Sequence, residues 1–437
     1  LRSYGGIRIT NDGNDCALPV VIDSHSHCSF GCAYCFSENN FGHIKGRDQG
    51  LGQTPLATVE AIFSGGGGKQ GELFRAALRY DQRNAHGFPA PVQLGGINDP
   101  CDNIERQQGW LLRFLKLCIK YKQPVRISTK GAVLLEPDYQ RVIAQAPQLF
   151  WILVSIVTPD EILAAKVERH APPPKKRIEV IQAMSKLGCF TGLRFRPVVP
   201  GLSDSTPRYP LAYKTLIDWS ADAGAQAMEY EIIYVPMRFH GEQRKAWDRM
   251  ERDIGVPLRK VYMKMGPAQA SLRPSATWME QIVCAIHEHA KQRGMIVGVS
   301  EPSWKELNDD GCCCGMVRTH PVFGNYEPRN FTQAIVDARD TGKLIRLADV
   351  TPVWAPTTKM SSICNIGGAG PLAAYAKRHM MYSDFIKNDW NNARSVRNPL
   401  TYFQGALEAR VENGEVCYAF KGQNRRNPLT TPYWRLK

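Results

Sequence analysis

No apolar run in this 437-residue chain approaches the roughly 20 residues that cross a bilayer. The longest, residues 149–157 (LFWILVSIV), is far too short, so no membrane-spanning segment is expected. The opening LRSYGGIRIT lacks the apolar stretch of a secretory signal, and the missing initiator Met suggests a trimmed N-terminus. A cytoplasmic location is expected. Long internal repeats and low-complexity tracts are also missing. With 43% hydrophobic and 22% charged residues, a mainly disordered chain is excluded. Acidic side chains are in short supply, 41 against 55 basic, a formal charge of +14. That excess predicts attraction to polyanions rather than any fold. The length is about three times the commonest domain size, which predicts one large catalytic domain and a smaller one.

Cysteine, by contrast, is plentiful. There are 13, an odd number, in a chain without an export signal, which favours metal or redox use over a disulfide scaffold. Cys16, Cys101, Cys118, Cys189, Cys284, Cys364 and Cys417 are scattered and read as small buried hydrophobes. Two groups are not scattered. Cys28, Cys32 and Cys35 fall in HCSFGCAYCF, and Cys312, Cys313 and Cys314 are consecutive in DDGCCCGM.

Short apolar runs at 17–22, 92–94, 125–128, 150–157, 192–199 and 228–234 read as strands, with a last one at 295–300. Between them, 105–121 carries Trp110, Leu111, Phe114, Leu115 and Cys118 at helix spacing. Residues 175–187 carry Ile178, Ile181 and Met184 in the same way, and 277–292 is a further helix. Alternating strands and helices predict parallel β/α units, whose chemistry sits at the C-terminal ends of the strands. The tetraglycine at 65–68 lacks the Walker spacing and reads as a flexible loop. After residue 301 the alternation fades, which places a domain boundary there.

Three cysteines at 28, 32 and 35 lie in one short loop after a strand. Zinc sites usually pair two C-x2-C halves, and no second half lies nearby. Three thiolates on one loop suit three irons of a [4Fe–4S] cube, leaving the fourth iron open. His25 and His27 flank the loop and read as supporting or packing residues. With Tyr34 just before the third cysteine, the loop resembles the signature of the radical S-adenosylmethionine (SAM) superfamily. The resemblance implies that SAM chelates the open iron and is cleaved to a 5′-deoxyadenosyl radical that abstracts hydrogen from substrate. It implies an electron donor such as flavodoxin or ferredoxin, and a place near the adenine for Tyr34. The fold it implies is a partial (β/α)6 TIM-like barrel over residues 15–300, followed by a basic accessory domain over 301–437.

The likeness extends over residues 17–235 and resembles the spore photoproduct lyase branch. VQLGGINDP, VRISTKGAVLL, WILVSIVTPDE and ERHAPPPKKRIEVIQAMSKLGCFTGLRFRPVVPGLSD carry it. Three strand-end residues hold the SAM amino acid moiety in that family, and the matching positions here are Asn98, Lys130 and Ser155. Lys130 can pair with a carboxylate, and the other two can hydrogen-bond an ammonium or carboxylate. The cofactor-binding candidates are therefore Tyr34, Gly96, Asn98, Lys130 and Ser155. Two departures matter. The lyase branch has a hydrogen-donating cysteine where this chain has Gly96, and a tyrosine where it has Phe36. Cys101, five residues past Gly96, is a weak substitute.

Cys312, Cys313 and Cys314 are candidates for an auxiliary Fe–S site, completed by Cys284, Cys364 or Cys417, or else redox or hydrogen-donor thiols, or structural thiols. Residues 371–437 carry 11 basic and 5 acidic side chains, +6 where an even spread would give about +2. Lys377, Arg378, Arg394, Arg397, Arg425 and Arg426 are interleaved there with Tyr375, Tyr382, Trp390, Tyr402, Phe403, Tyr433 and Trp434. Such a mixture suits a nucleic-acid groove or the core of a small domain. The expected function is radical modification or rearrangement of a DNA base, at a thymine-type C5 substituent, as in DNA hypermodification by a bacterium or phage. The alternatives are photoproduct repair, RNA or peptide modification, and a non-enzymatic Fe–S nucleic-acid-binding protein.

Overall fold

Apolar strands pair here in strict chain order. In the computed structural model the residues described are 1–10, 14–37, 50–236, 239, 242–262, 271–363, 378–395, 397–403 and 405–422. Strands β1 (Ile7–Ile9), β2 (Val20–Ile22), β3 (Val92–Leu94) and β4 (Val125–Thr129) are followed by β5 (Phe150–Ser155), β6 (Phe190–Val198), β7 (Ala227–Ile232) and β8 (Ile296–Val299). They form one eight-stranded sheet in the order β8 to β1. Every pairing is parallel except β1 with β2. The first and last strands are not neighbours, so the barrel is open. This is the expected partial TIM-like architecture, with β8 as a seventh parallel strand and β1 as an unforeseen antiparallel edge.

The helices come from amphipathic sequence. The expected helix over 105–121 is two, α1 (Asn103–Gln108) and α2 (Trp110–Tyr121), because Gly109 turns the chain with φ +58°. Trp110 and Phe114 stack at 5.0 Å on the buried face of α2. The tetraglycine is a corner between two helices, Leu56–Ser64 and Gly68–Ala77, with Gly65 and Gly67 in the left-handed region.

Strand side chains alternate between the helices and the lumen. On β4, β6 and β7 charged residues take lumen positions. Arg126 donates to both carboxylate oxygens of Glu229 at 2.9 Å, and Arg194 Nε lies 2.6 Å from the same carboxylate. Glu229 has no solvent exposure. Burial alone would raise its carboxyl, but Arg126, Arg194 and Arg196 outweigh that and hold it down at about 2.

Beyond β8 the chain passes under the barrel. Phe323 packs 5.8 Å from Trp151 and 6.1 Å from Phe190, while Glu327 N donates to the Ala17 carbonyl and Phe331 N to that of Asn14. Val297 N donates to Asp309 Oδ2 at 2.8 Å, and Asp309 N returns a bond to the Val297 carbonyl. The open edge of β8 is thereby covered, as exposed strand edges generally must be. Residues beyond 301 share one apolar cluster with the strands. Within it, Tyr382 stacks on Trp354 at 5.6 Å, Trp390 lies edge-on to Tyr418, and Tyr402 and Phe403 pack on Phe331. These four aromatics build core rather than a stacking platform. Arg378 and Arg394 are exposed, and Arg397 lies over the Phe385 ring. Tyr375, Lys377, Arg425, Arg426, Tyr433, Trp434 and Cys364 lie outside the described residues.

Two outcomes follow from this packing. A Cβ at Gly298 would sit 2.3 Å from Gly315 N and 2.4 Å from the Cys313 carbonyl oxygen. Gly298→Ala should therefore cost about 1–3 kcal/mol, read as a lower urea midpoint. Glu229 has an ordinary value of 4.5 and a folded value of about 2, so its contribution is present above about pH 4.5. It should be lost as pH falls toward 2, taking roughly 3 kcal/mol of stability with it. Urea titrations across that window would show no such loss for Glu229→Gln.

Candidate active site

Asp23, the first residue after β2, fixes one side of the site. Its buried carboxylate accepts from Ile97 N at 2.8 Å and Asn98 N at 3.3 Å, and pairs with Arg8. This fixes the turn after β3 against the loop that follows β2. That loop carries Cys28, Cys32 and Cys35, all free thiols and half-buried. Several bonds tie it down. Ser29 N donates to Asp102 Oδ2 at 2.6 Å, Ala33 N to the Val167 carbonyl, His170 N to the Phe30 carbonyl, and Ser37 Oγ to the Ile97 carbonyl at 2.7 Å. Cys32 also forms an isolated antiparallel bridge with Glu168. All three thiols line one cavity of about 340 Å³.

The same cavity is lined by Tyr34, Gly96, Asn98, Lys130 and Ser155, so the structure brings every one of the cluster and cofactor candidates together. Glu168 organises them. Although burial opposes it, Arg177 and Lys130 hold this carboxylate below the ordinary range. Arg177 Nη2 lies 2.7 Å from it and Lys130 Nζ 3.7 Å, and the Tyr34 hydroxyl donates to it. Lys130 Nζ also sits 5.5 Å from the Tyr34 ring centre. Arg177 continues to the Ser155 carbonyl at 3.1 Å. Asp99, which lines the cavity too, accepts from Lys130 N and the Thr129 hydroxyl at 2.6 Å, fixing the end of β4.

The donor set fits a cluster and SAM. Three thiols of one loop face a common space, and two polar atoms at its wall, Asn98 Oδ1 and Ser128 Oγ, are buried without a hydrogen-bond partner. Buried polar atoms without partners are expensive unless a ligand supplies them. Asn98 Oδ1 is an acceptor for an ammonium, and Lys130 a counter-charge for a carboxylate.

Other candidates fall elsewhere. His25 is buried against Ser24 and Gln53, desolvation lowers it to about 4, and neither it nor His27 lines the cavity. Cys101 is buried behind the turn and does not line the cavity either. Gly96 leaves no room for a side chain, since a Cβ there would meet Val21 Cγ1 at 2.5 Å and Arg8 Nη2 at 2.7 Å. Cys312 and Cys314 are buried beneath the lumen, and contact with Cys314 and burial push the Cys313 thiol up. Cys284 lies on the helix Ala276–Gln292 and Cys417 on the strand Glu415–Phe420. Among the described residues, no three His, Cys, Asp or Glu side chains are arranged to hold a single metal ion. Sequence reasoning missed Glu168, Arg177, Asp99, Arg194, Arg196 and Glu231. The first two stand in ERHAPPPKKR, whose density of charge and proline reads as surface.

No family model matches the chain. Over 195 residues, 44% of this chain, it is 27% identical to uncharacterised proteins of Mycobacterium tuberculosis and Mycobacterium bovis. The match covers 54% of those proteins, so the chain spans about half the length of the curated relatives it matches. Among solved structures it is similar to a spore photoproduct lyase mutant with bound AdoMet and dinucleoside spore photoproduct. The TM-score is 0.43 at 11% identity, over 63% of this chain and 73% of that one. It is also similar to Streptococcus suis SuiB bound to precursor peptide SuiA, with TM-score 0.32 at 16% identity, over 49% and 38% of the two chains.

The buried carboxylate offers a direct test. Arg177 is 1% exposed and loses its counter-ion in Glu168→Ala. Unfolding free energy should fall by about 3–5 kcal/mol in urea titrations, because a lone buried guanidinium is left behind. A loss below 1 kcal/mol would mean that the pair does not organise the site.

Proposed function

We propose that the protein is a radical SAM enzyme that modifies or rearranges a base in DNA, at a thymine-type C5 substituent. One observation carries the reading: three thiols from one loop and the ends of β3, β4 and β5 line a single cavity. Cys28, Cys32 and Cys35 would hold a [4Fe–4S] cluster through three irons, with the fourth left for SAM. When bound, this pair supplies a 5′-deoxyadenosyl radical that abstracts hydrogen from substrate.

The chain's own residues bind and orient. Asn98 Oδ1 would accept from the SAM ammonium. Lys130 would pair with its carboxylate, and Ser155 would add a hydroxyl. Glu168 keeps Lys130 and Tyr34 in place, and Asp99 fixes the backbone of Lys130. Phe30, Phe36 and Trp247 give the cavity apolar walls that limit water. Apart from the three ligand candidates, no cysteine lies among the described lining residues, which favours modification or rearrangement over a cleavage quenched by a protein thiol. The formal charge of +14 supports a polyanionic substrate. A flavodoxin or ferredoxin would supply electrons, in the cytoplasm of a bacterium or of a phage's host.

Release of 5′-deoxyadenosine by the anaerobically reconstituted, reduced protein tests the reading. Modified-thymine DNA should stimulate release and yield a mass-shifted or rearranged nucleoside. Cys28→Ala should abolish the cluster's visible absorption and release together. Lys130→Ala should keep the absorption and weaken SAM binding by roughly tenfold or more, the effect of losing a charge-assisted bond. Release indifferent to every nucleic acid would remove the DNA assignment. Release retained in Cys28→Ala would remove the cluster assignment.

A further inference from the structure

The far wall of the cavity, across the barrel from the cysteine loop, carries chemistry that the cofactor does not use. Arg196 at the end of β6 and Glu231 at the end of β7 are ion-paired and line the cavity, about a quarter exposed. Arg196 Nη1 also donates to Ser300 Oγ at 3.2 Å. A guanidinium has five N–H donors and a carboxylate about four acceptor positions, so these contacts leave capacity on both. The pair neutralises itself and therefore suits a neutral polar edge better than a phosphate. Tyr234 and Trp247 line the same cavity, and Phe36, 39% exposed, lines it from the cysteine loop opposite, so aromatic surface is available to a planar ring.

We propose that the Arg196–Glu231 pair reads the lactam edge of a flipped-out base, Glu231 accepting from the ring N–H and Arg196 donating to the adjacent carbonyl. This rests on the reading of the protein as a DNA-base enzyme. It assigns the residues that select for bases presenting –CO–NH–, such as thymine and other 5-substituted uracils. Cytosine-type bases carry the opposite pattern. Their ring nitrogen lone pair would face the Glu231 carboxylate, and their amine would face the Arg196 donors, so the wall rejects them as well as selecting its ligand. A flipped base is read in this manner by hydrogen bonds to its pairing edge.

The test uses base pairs of matched C5 substituent and exchanged edge. Single-stranded oligonucleotides carry one central thymine or 5-methylcytosine, or one 5-hydroxymethyluracil or 5-hydroxymethylcytosine, with N3-methylthymine as the blocked edge. The cluster-loaded protein with SAM is assayed for anisotropy binding and 5′-deoxyadenosine release. The uracil-type base should be preferred by on the order of tenfold in both pairs, as for one good two-point base contact. N3-methylation should remove the preference, and Glu231→Gln should narrow it while binding of the oligonucleotide persists. Equal response of the wild-type protein to both members of each pair overturns the inference and leaves the DNA reading standing. No binding and no stimulation by any oligonucleotide overturns the DNA reading and the inference with it.

Discussion

The site depends on one buried carboxylate. Glu168 touches the cysteine loop through its backbone bridge to Cys32, and reaches Tyr34, Lys130 and Arg177 through its side chain. Loop, strand end and helix are therefore positioned by a single charge that has no access to water. The desolvation cost of such a group is offset only while several donors converge on it. Convergence demands that β4, the helix Pro174–Lys186 and the loop after β2 all sit where they do. A cysteine loop that was merely mobile would not satisfy it.

Much of the barrel was legible because its strands are short, continuous apolar runs. Phe150–Ser155 is buried at every position and could hardly be anything but an interior strand. The cysteine loop was legible for another reason: its three candidate ligands are contiguous in sequence, so spacing alone announces them. Asn98, Lys130 and Ser155 were reached only through resemblance, since a lone polar residue at a strand end has many uses.

What escaped reading shares a physical cause. Arg194, Arg196, Glu229 and Glu231 alternate with apolar residues in LRFRP and MEYEI, a pattern that usually marks one wet face. Here both faces are covered, and the polar one turns into a lumen where the charges satisfy one another. Composition left two readings open at the other end of the chain. Basic residues among aromatics describe a base-stacking groove and a small core equally well, and Tyr382, Trp390, Tyr402 and Phe403 took the second course. The edge strand Ile7–Ile9, three residues long, gave no periodicity to read.

The crowding at Gly96 couples side-chain size to the shape of the turn. The space a larger residue would need there is held by Val21 and by the end of Arg8, itself tied to the carboxylate that shapes the turn. A side chain at this position must therefore displace Arg8, and through Arg8 it reaches the Asp23 anchor on Ile97 and Asn98.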